Sequence, residues 1–131
     1  MDNILASFPY QSDTKGQLFP VISLRFHFGE KFVDTAALVD SGATISIFRA
    51  DVVQDSDLVI ENGKEIYLGG IAERVKGYLH NIQVEISEKQ FLLPVVFSYE
   101  YRVSFNLLGR KGFFEKFDVL FEERKGRVQL V

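Results

Sequence analysis

Residues 37–48 read Ala-Leu-Val-Asp-Ser-Gly-Ala-Thr-Ile-Ser-Ile-Phe, and the rest of the chain is organised around this stretch. An apolar strand delivers one carboxylate, that of Asp40, into a turn of small residues, and a second apolar segment leaves the turn. Aspartate is depleted in strand interiors and is rarely buried without a partner. Two explanations are open: a turn in which Asp40 bonds its own backbone two residues further on, or a catalytic role.

The residues of this turn have the chemistry that a catalytic loop needs. Asp40 can hold or activate a water molecule, and the Ser41 hydroxyl can both donate and accept a hydrogen bond, so it can tie one loop to a neighbouring loop. Gly42 has no Cβ and lets a substrate backbone approach closely, while Ala43 keeps the turn compact. Because Asp-Ser-Gly is a common tripeptide, the catalytic interpretation depends on what else the chain carries.

Length, composition and charge narrow the class of protein. The chain has 131 residues, the usual size of one domain, and its 47% apolar residues with 13 phenylalanines can fill a packed interior. The net charge is −3 and there is no long cluster of lysine and arginine, so the sequence has no electrostatic footprint for nucleic acid or an anionic membrane. We expect one domain without a nucleic-acid or membrane partner.

The sequence offers few ligands for a metal or a cofactor. Cysteine is absent, which rules out disulfides and thiolate sites and fits a reducing compartment. His27 and His80 are the only imidazoles, so we expect no zinc site and no cofactor. The first residues lack the pattern of a signal peptide, and no apolar run approaches the roughly 20 residues that span a bilayer. We therefore expect a soluble, cytoplasmic protein.

The first third of the chain predicts an N-terminal segment followed by a hairpin. Residues 1–20 lack clear periodicity and are interpreted as an arm or an edge strand. Residues 21–28 alternate strictly between apolar and polar, and residues 32–39 return as a strand that is apolar on both faces. The turn at Gly29-Glu30-Lys31 joins the two strands and aims Asp40 inward.

The remaining segments also predict short antiparallel strands. Asn62-Gly63 is a dipeptide suited to a type I′ turn, so we predict a hairpin between residues 58–61 and residues 64–68. Residues 118–131 alternate around a polar turn and predict a terminal hairpin. The fold class that follows is all-β.

Two later segments have unusual composition. Gly69 and Gly70 precede an isolated apolar residue, Ile71, which predicts either a mobile tip that presses on a ligand or a plain hairpin turn with an exposed isoleucine. Residues 105–110 read Phe-Asn-Leu-Leu-Gly-Arg, and the phenylalanines that follow, up to Phe117, are spaced for one helical face.

These segments together resemble the retropepsin-like (retroviral-type) aspartic proteases. Residues 40–43, Asp-Ser-Gly-Ala, are similar to the Asp-Thr/Ser-Gly-Ala catalytic motif of that family. Residues 69–71 resemble the flap that closes over a bound peptide, and residues 107–110, Leu-Leu-Gly-Arg, resemble the segment that follows the last core strand. The three segments occur in the family's order, and they cover most of the span 21–117.

The resemblance implies a fold and a set of site residues. It implies an arm or edge strand over residues 1–20 and one protease domain over residues 21–131, a closed β-barrel or sandwich with one short C-terminal helix. It assigns catalysis to Asp40, the active-site loop to Ser41, Gly42 and Ala43, the flap to Gly69, Gly70 and Ile71, and structural support to Gly109 and Arg110.

The resemblance also implies a mechanism that needs two carboxylates. In aspartic proteases two carboxyl groups share one proton, because like charges so close together cannot both ionise comfortably. This chain supplies one matching aspartate, so the resemblance implies a homodimer whose two Asp40 residues activate a water that hydrolyses a peptide or protein substrate. Acidic to mildly acidic conditions are expected to favour such an enzyme.

Two departures from the family pattern leave a second interpretation open. Ala72-Glu73-Arg74 stands where the flap usually carries further glycines. Thr44-Ile45 stands where retroviral members carry an acid that pairs with the arginine of the Gly-Arg segment, here Arg110. The alternative function is a non-catalytic homodimeric module that binds peptides or dimerises on the protease fold. An unrelated small β-barrel binding protein would require three accidental matches.

Overall fold

The computed structural model describes residues 3–70 and 72–131, and most of them lie in β-strands. Short helical turns occupy Ala50–Val53, Ile60–Asn62, Arg110–Phe114 and Glu123–Lys125. The strands in chain order are β1 (Ala6–Pro9), β2 (Gln11–Ser12), β3 (Leu18–Phe19), β4 (Val21–Phe28), β5 (Lys31–Val39), β6 (Ser46–Arg49), β7 (Lys64–Gly69), β8 (Arg74–Ile86), β9 (Lys89–Ser98), β10 (Leu107–Leu108), β11 (Val119–Glu122) and β12 (Arg127–Leu130).

The hairpin predicted for residues 21–39 is confirmed as β4 and β5, which pair antiparallel along their whole length. Gly29 sits in the connecting turn at φ +64, a backbone conformation that glycine adopts without strain. On β4 the alternating apolar side chains enter the core, and Phe26 is fully buried with its ring 5.0 Å from that of Phe48. Ala37 and Val39 are buried at the end of β5, directly before Asp40.

The main sheet places a late strand between two early ones. Its order is β4-β5-β10-β6-β9-β8-β7, and β4 also pairs with β8 through Arg25–Glu85, Phe26–Val84 and His27–Gln83. Strand β10 is parallel to β5 and antiparallel to β6, so it separates two strands that are consecutive in the chain. The connection from β5 to β6, which contains Asp40, therefore crosses the end of β10.

The two faces of the main sheet carry separate apolar clusters, because successive strand residues point to opposite faces. The larger cluster contains the fully buried Phe26, Phe48 and Phe97 and continues to the C-terminal strands. The smaller cluster lies on the other face and contains Ile47, Val96 and Tyr101, with half-buried side chains packed around them: Ile45, Ile66, Leu68, Val75, Leu79 and Leu107. This second cluster joins the β7–β8 hairpin to the strands next to Asp40.

The hairpin predicted at Asn62-Gly63 is wrong. Residues Ile60–Asn62 form a helical turn, and Gly63 has φ −72° and ψ 169°, whereas a type I′ turn requires positive φ. A Cβ on Gly63 would lie 2.5 Å from His80 Nε2, and that ring nitrogen also bonds the Ile60 carbonyl at 2.8 Å. Glycine is required there for close packing against β8, so β7 pairs with β8 and not with residues 58–61.

The two ends of the chain meet in a three-stranded sheet of order β1-β12-β11. The terminal hairpin is confirmed as β11 and β12, with Gly126 left-handed at φ +63 in its turn. Strand β1 pairs along the other edge of β12, from Ala6–Leu130 to Pro9–Arg127.

The helix expected after Gly109 is reduced to an irregular helical turn. Lys111 is extended (φ −71°, ψ 121°) and Gly112 has φ +83°, so the backbone within Arg110–Phe114 is interrupted. A Cβ on Gly112 would lie 2.5 Å from Pro94 Cδ, so glycine lets the chain pack closely against Pro94 while its positive φ interrupts the helix. Phe113 and Phe117 are still buried together, with ring centroids 5.6 Å apart.

Candidate active site

Asp40 directly follows β5 and is half-buried at the start of the turn. Its backbone N–H donates to the Leu108 carbonyl at 3.0 Å, and its carbonyl accepts the N–H of Ala43 at 3.2 Å. Side-chain Oδ1 accepts the N–H of Gly42 at 2.9 Å, which is an Asx turn. Oδ2 has no hydrogen-bond partner among the described residues, so one oxygen is held while the other is available to a water or a ligand.

The other motif residues lie on the surface side of the turn. Ser41 and Gly42 are exposed and Ala43 is half-buried. Within the described part of the chain the Ser41 hydroxyl has no hydrogen-bond partner, so any bracing by this group would involve another molecule.

Gly109 lies where the chain crosses beneath the Asp40 turn. Its N–H donates to the buried Ser46 hydroxyl at 3.0 Å. A Cβ at this position would lie 2.6 Å from the Ile45 carbonyl carbon and 2.8 Å from the Ala43 carbonyl oxygen. Two backbone segments therefore approach too closely for any residue except glycine, and the turn packs directly against Gly109 at the end of β10.

Arg110 contributes to the same crossing through its backbone. Its N–H donates to the Ala43 carbonyl at 2.8 Å, and the N–H of Lys111 donates to the Thr44 carbonyl at 2.9 Å. The guanidinium of Arg110 is exposed and forms no ion pair with any residue in the ranges 3–70 and 72–131. The acidic partner that the resemblance implies for this arginine is thus not present in the single chain described.

The segment expected to form a flap is the tip of the β7–β8 hairpin, whose last pair is Gly69 with Arg74. Gly69 has φ +101, and a Cβ on it would lie 2.2 Å from the Glu73 carbonyl oxygen, so the tip is tightly closed. Apart from Gly70 itself and its chain neighbours, no described residue has an atom within 4 Å of the corresponding position on Gly70. Ile71, the third residue of the expected flap, lies outside the described residues.

Three polar residues near the turn were missed by the sequence analysis. Ser46 is fully buried and accepts the Gly109 N–H. Asn106 is buried, and its Oδ1 accepts the N–H of Arg49 at 2.9 Å. Tyr101 is buried and its hydroxyl donates to the Phe105 carbonyl at 2.6 Å. For Ser46 and Asn106 the available signal was a polar side chain inside an otherwise apolar run.

Tyr101 is also electrostatically linked to the site. Burial raises the pKa of its phenol, the positive charge of Arg49 opposes that shift, and the carboxylate of Asp40 adds to it. The neutral phenol is therefore favoured further, and its proton is used in the hydrogen bond to the Phe105 carbonyl.

The described residues contain no group of three or more His, Cys, Asp or Glu side chains placed to hold a metal ion. The two histidines have other partners. His27 Nε2 lies 3.0 Å from Glu85 Oε1, and His80 bonds the backbone of the Ile60–Asn62 turn. In the same ranges no helix has the length and apolar character that a membrane crossing requires.

Comparison with known proteins does not identify a family for this chain. No family model matches the chain, and no curated protein matches it at a significant level. The functional assignment therefore depends on the geometry around Asp40.

Proposed function

We propose that this protein is a retropepsin-like aspartic endopeptidase that acts as a homodimer. The observation that carries the proposal is the setting of Asp40, half-buried between β5 and β6 with Oδ1 held by Gly42 and Oδ2 without a partner in the described chain. The inserted strand β10 and the glycine crossing at Gly109 support a turn that is held in place instead of an ordinary mobile loop.

The chemistry proposed for this carboxylate requires a second one. One carboxylate accepts a proton from a water that attacks the scissile carbonyl carbon, while the protonated partner donates a hydrogen bond to the carbonyl oxygen. The tetrahedral intermediate then collapses, the C–N bond breaks, and a proton passes to the leaving amine. The peptide is cleaved and the dyad returns to its singly protonated state.

The second carboxylate is proposed to come from another copy of the chain. Asp34 is exposed and paired with Arg25 at 2.6 Å, and Asp118 directly precedes β11, where its backbone bonds Val131. Neither is followed by a second turn of small residues. A two-fold axis between two Asp40 turns is the simplest arrangement that supplies a matched pair.

The rest of the fold is consistent with a peptide cleft. The half-buried Ile45, Leu68 and Leu107 supply apolar surface between the Asp40 turn and the β7–β8 hairpin, and the hairpin tip is proposed to cover a bound peptide. The pairing of β4 with β8 supports the closed barrel expected of this class. The absence of cysteine supports a cytoplasmic location.

Replacing Asp40 tests the proposal. We expect wild-type protein to cleave a mixed peptide library and to be inhibited by a statine-type transition-state mimic. Asp40→Asn removes the general acid and base, so cleavage should fall by about 10²–10⁴-fold or more. Asp34→Asn is the matched control, because it neutralises an exposed carboxylate earlier on β5, outside the Asp40 turn, and should leave cleavage unchanged. Full activity of Asp40→Asn would end the proposal.

The second candidate is a peptide-binding or dimerisation module without hydrolysis. Two observations favour it: the Asx turn at Asp40 needs no catalysis to explain it, and among the described residues Arg110 has no acidic partner of the kind that the family resemblance implies. It predicts that wild-type protein binds peptides without cleaving them, and that Asp40→Asn binds them equally well.

A further inference from the structure

The segments that flank the Asp40 turn are positively charged, although the chain carries a net charge of −3. Residues 41–50 and 101–114 contain no aspartate and no glutamate. They contain four cations, Arg49, Arg102, Arg110 and Lys111. Within these two segments the net charge is therefore positive, and the nearest acids in sequence adjoin their ends: Asp40, Asp51, Glu100 and Glu115.

Arg110 and Lys111 are joined to the Asp40 turn by backbone hydrogen bonds. Their N–H groups donate to the carbonyls of Ala43 and Thr44, respectively. Together with Thr44, Phe114 and Glu115 they line a cavity of about 350 Å³ next to the turn. A cavity of this size accommodates a side chain of a bound peptide.

The charges in this cavity are incompletely balanced. Arg110 and Lys111 are exposed, and neither side chain has an ion-pair partner in the described ranges. Glu115 is the one acid in the lining, and its Oε1 accepts the N–H of Gly112 at 2.6 Å. Arg49 differs, because it pairs with Asp51 and donates to the carbonyls of Val103 and Ser104. Arg49 is a structural cation, whereas Arg110 and Lys111 are available to a ligand.

We propose that Arg110 and Lys111 bind a carboxylate side chain of the substrate, so the preferred substrate is an acidic polypeptide with Asp or Glu beside the cleaved segment. The proposal rests on the proposed function, since it requires a peptide that passes the Asp40 turn. An exposed guanidinium pairs with a carboxylate through two parallel hydrogen bonds, and an ammonium adds a point charge.

A second copy of the chain fits this cavity less well than an acidic peptide does. Residues 41–50 and 101–114 carry cations without acids, and Glu115, the acid in the cavity lining, already accepts a backbone N–H. A second copy that docked through the same segments would therefore bring cations towards Arg110 and Lys111. The charge pattern favours a ligand that brings its own carboxylate.

Binding measured without hydrolysis tests the inference. The protein is the Asp40→Asn variant, and the probes are two fluorescein-labelled peptide pools that share an apolar centre and carry either glutamate or glutamine on both sides of it. We expect the glutamate pool to bind about 5- to 20-fold more tightly at low salt, since each exposed pair contributes a factor of about 2 to 5. The preference should shrink as salt is raised, because exposed charges are screened.

Arg110→Gln with Lys111→Gln, in the same background, should abolish the preference for the glutamate pool. The backbone N–H groups that hold the turn are kept in this variant. The control is Lys15→Gln with Arg124→Gln, which removes two exposed cations elsewhere, so its net charge is the same and its preference should persist. A preference that survives in the Arg110/Lys111 variant, or that is absent from the parent, overturns the inference.

Peptide cleavage and the dimer state are two further readouts, and they separate this inference from the proposed function and from a role in the subunit contact. Wild-type cleavage of both pools at equal rates would overturn the acidic preference and leave the endopeptidase standing. Binding of the glutamate pool through Arg110 and Lys111 with no cleavage of either pool would overturn the endopeptidase alone. Loss of the dimer in the Arg110/Lys111 variant, with the peptide preference unchanged, would assign the two cations to the subunit contact and overturn the inference.

Discussion

At the scale of single residues, the Asp40 turn depends on one absent Cβ. Backbone atoms of Ile45 and Ala43 occupy the space that a Cβ on Gly109 would need. The N–H of Gly109 donates to the Ser46 hydroxyl. Gly109 therefore allows the two backbone segments to cross closely, and this crossing also sets the path of the Asp40 turn. Arg110, the next residue, holds the turn through its backbone and leaves its charge exposed.

Gly109→Ala should destabilise the fold by about 1–3 kcal/mol or more, because the added methyl group meets backbone and not a flexible side chain. Gly70→Ala is the matched control, since no described residue beyond its chain neighbours lies within 4 Å of its Cβ position, and it should change stability by no more than about 0.5 kcal/mol. Urea unfolding of both variants measures the difference. Equal stability of the two variants would show that the crossing relaxes at no cost.

At the scale of elements, hairpins supply the strands and cross-strand ion pairs brace them. Arg25 and Asp34 pair across β4 and β5, and Arg127 and Glu122 pair across β11 and β12 at 2.5 Å. The hydrogen bond from Arg127 holds the pKa of Glu122 below its ordinary value of 4.5, with Lys125 contributing. The hydrogen bond from Arg25 likewise lowers the pKa of Asp34.

These lowered pKa values predict an acid-sensitive stability. Because the folded state binds a proton on Glu122 less readily than the unfolded chain does, the stabilisation is fully present above about pH 4.5 and is lost as the pH falls through the lowered pKa. Glu122→Gln should therefore be less stable than wild type at pH 7, and the difference should be smaller at pH 3. Urea unfolding at both pH values measures it.

Glu30→Gln is the control for this pH dependence, since Glu30 is exposed in a turn and forms no ion pair within the described ranges. It should match wild type at both pH values. A difference between Glu122→Gln and wild type that is as large at pH 3 as at pH 7 would contradict the assigned role of the ion pair. The experiment also separates acid unfolding from any acid dependence of peptide cleavage.

At the scale of the whole molecule, the proposed enzyme is incomplete as one chain. The terminal strands β1 and β12 pair with each other within the chain, so they need no second copy to form their sheet. The site is different, because Asp40 is the one aspartate in the sequence that a Ser-Gly turn follows, so the proposed dyad needs a second copy. Activity should consequently depend on how subunits are paired.

Mixing wild-type protein with Asp40→Asn measures this dependence. If subunits exchange at random, equal amounts leave about one quarter of the dimers with two aspartates, so activity per wild-type subunit should fall by about half. Adding Asp34→Asn in place of Asp40→Asn should cause no such fall. Sedimentation of the mixture confirms that the subunits are paired, and activity that is unaffected by Asp40→Asn would rule out a shared site.

The β4–β5 hairpin, the terminal hairpin and the turn that carries Asp40 could be predicted from the amino-acid sequence because each follows from local physics: alternation along a strand and glycine in a turn. The insertion of β10 between β5 and β6 could not, since it pairs residues far apart in the chain. The same reason explains the errors at Gly63 and after Gly109, where close contacts with His80 and Pro94 outweighed local preference. The local sequence pattern thus determined the hairpins and the turn that carries the Asp40 carboxylate. Long-range packing decided which strands are neighbours, and it left the charge of Arg110 without an acidic partner in the described chain.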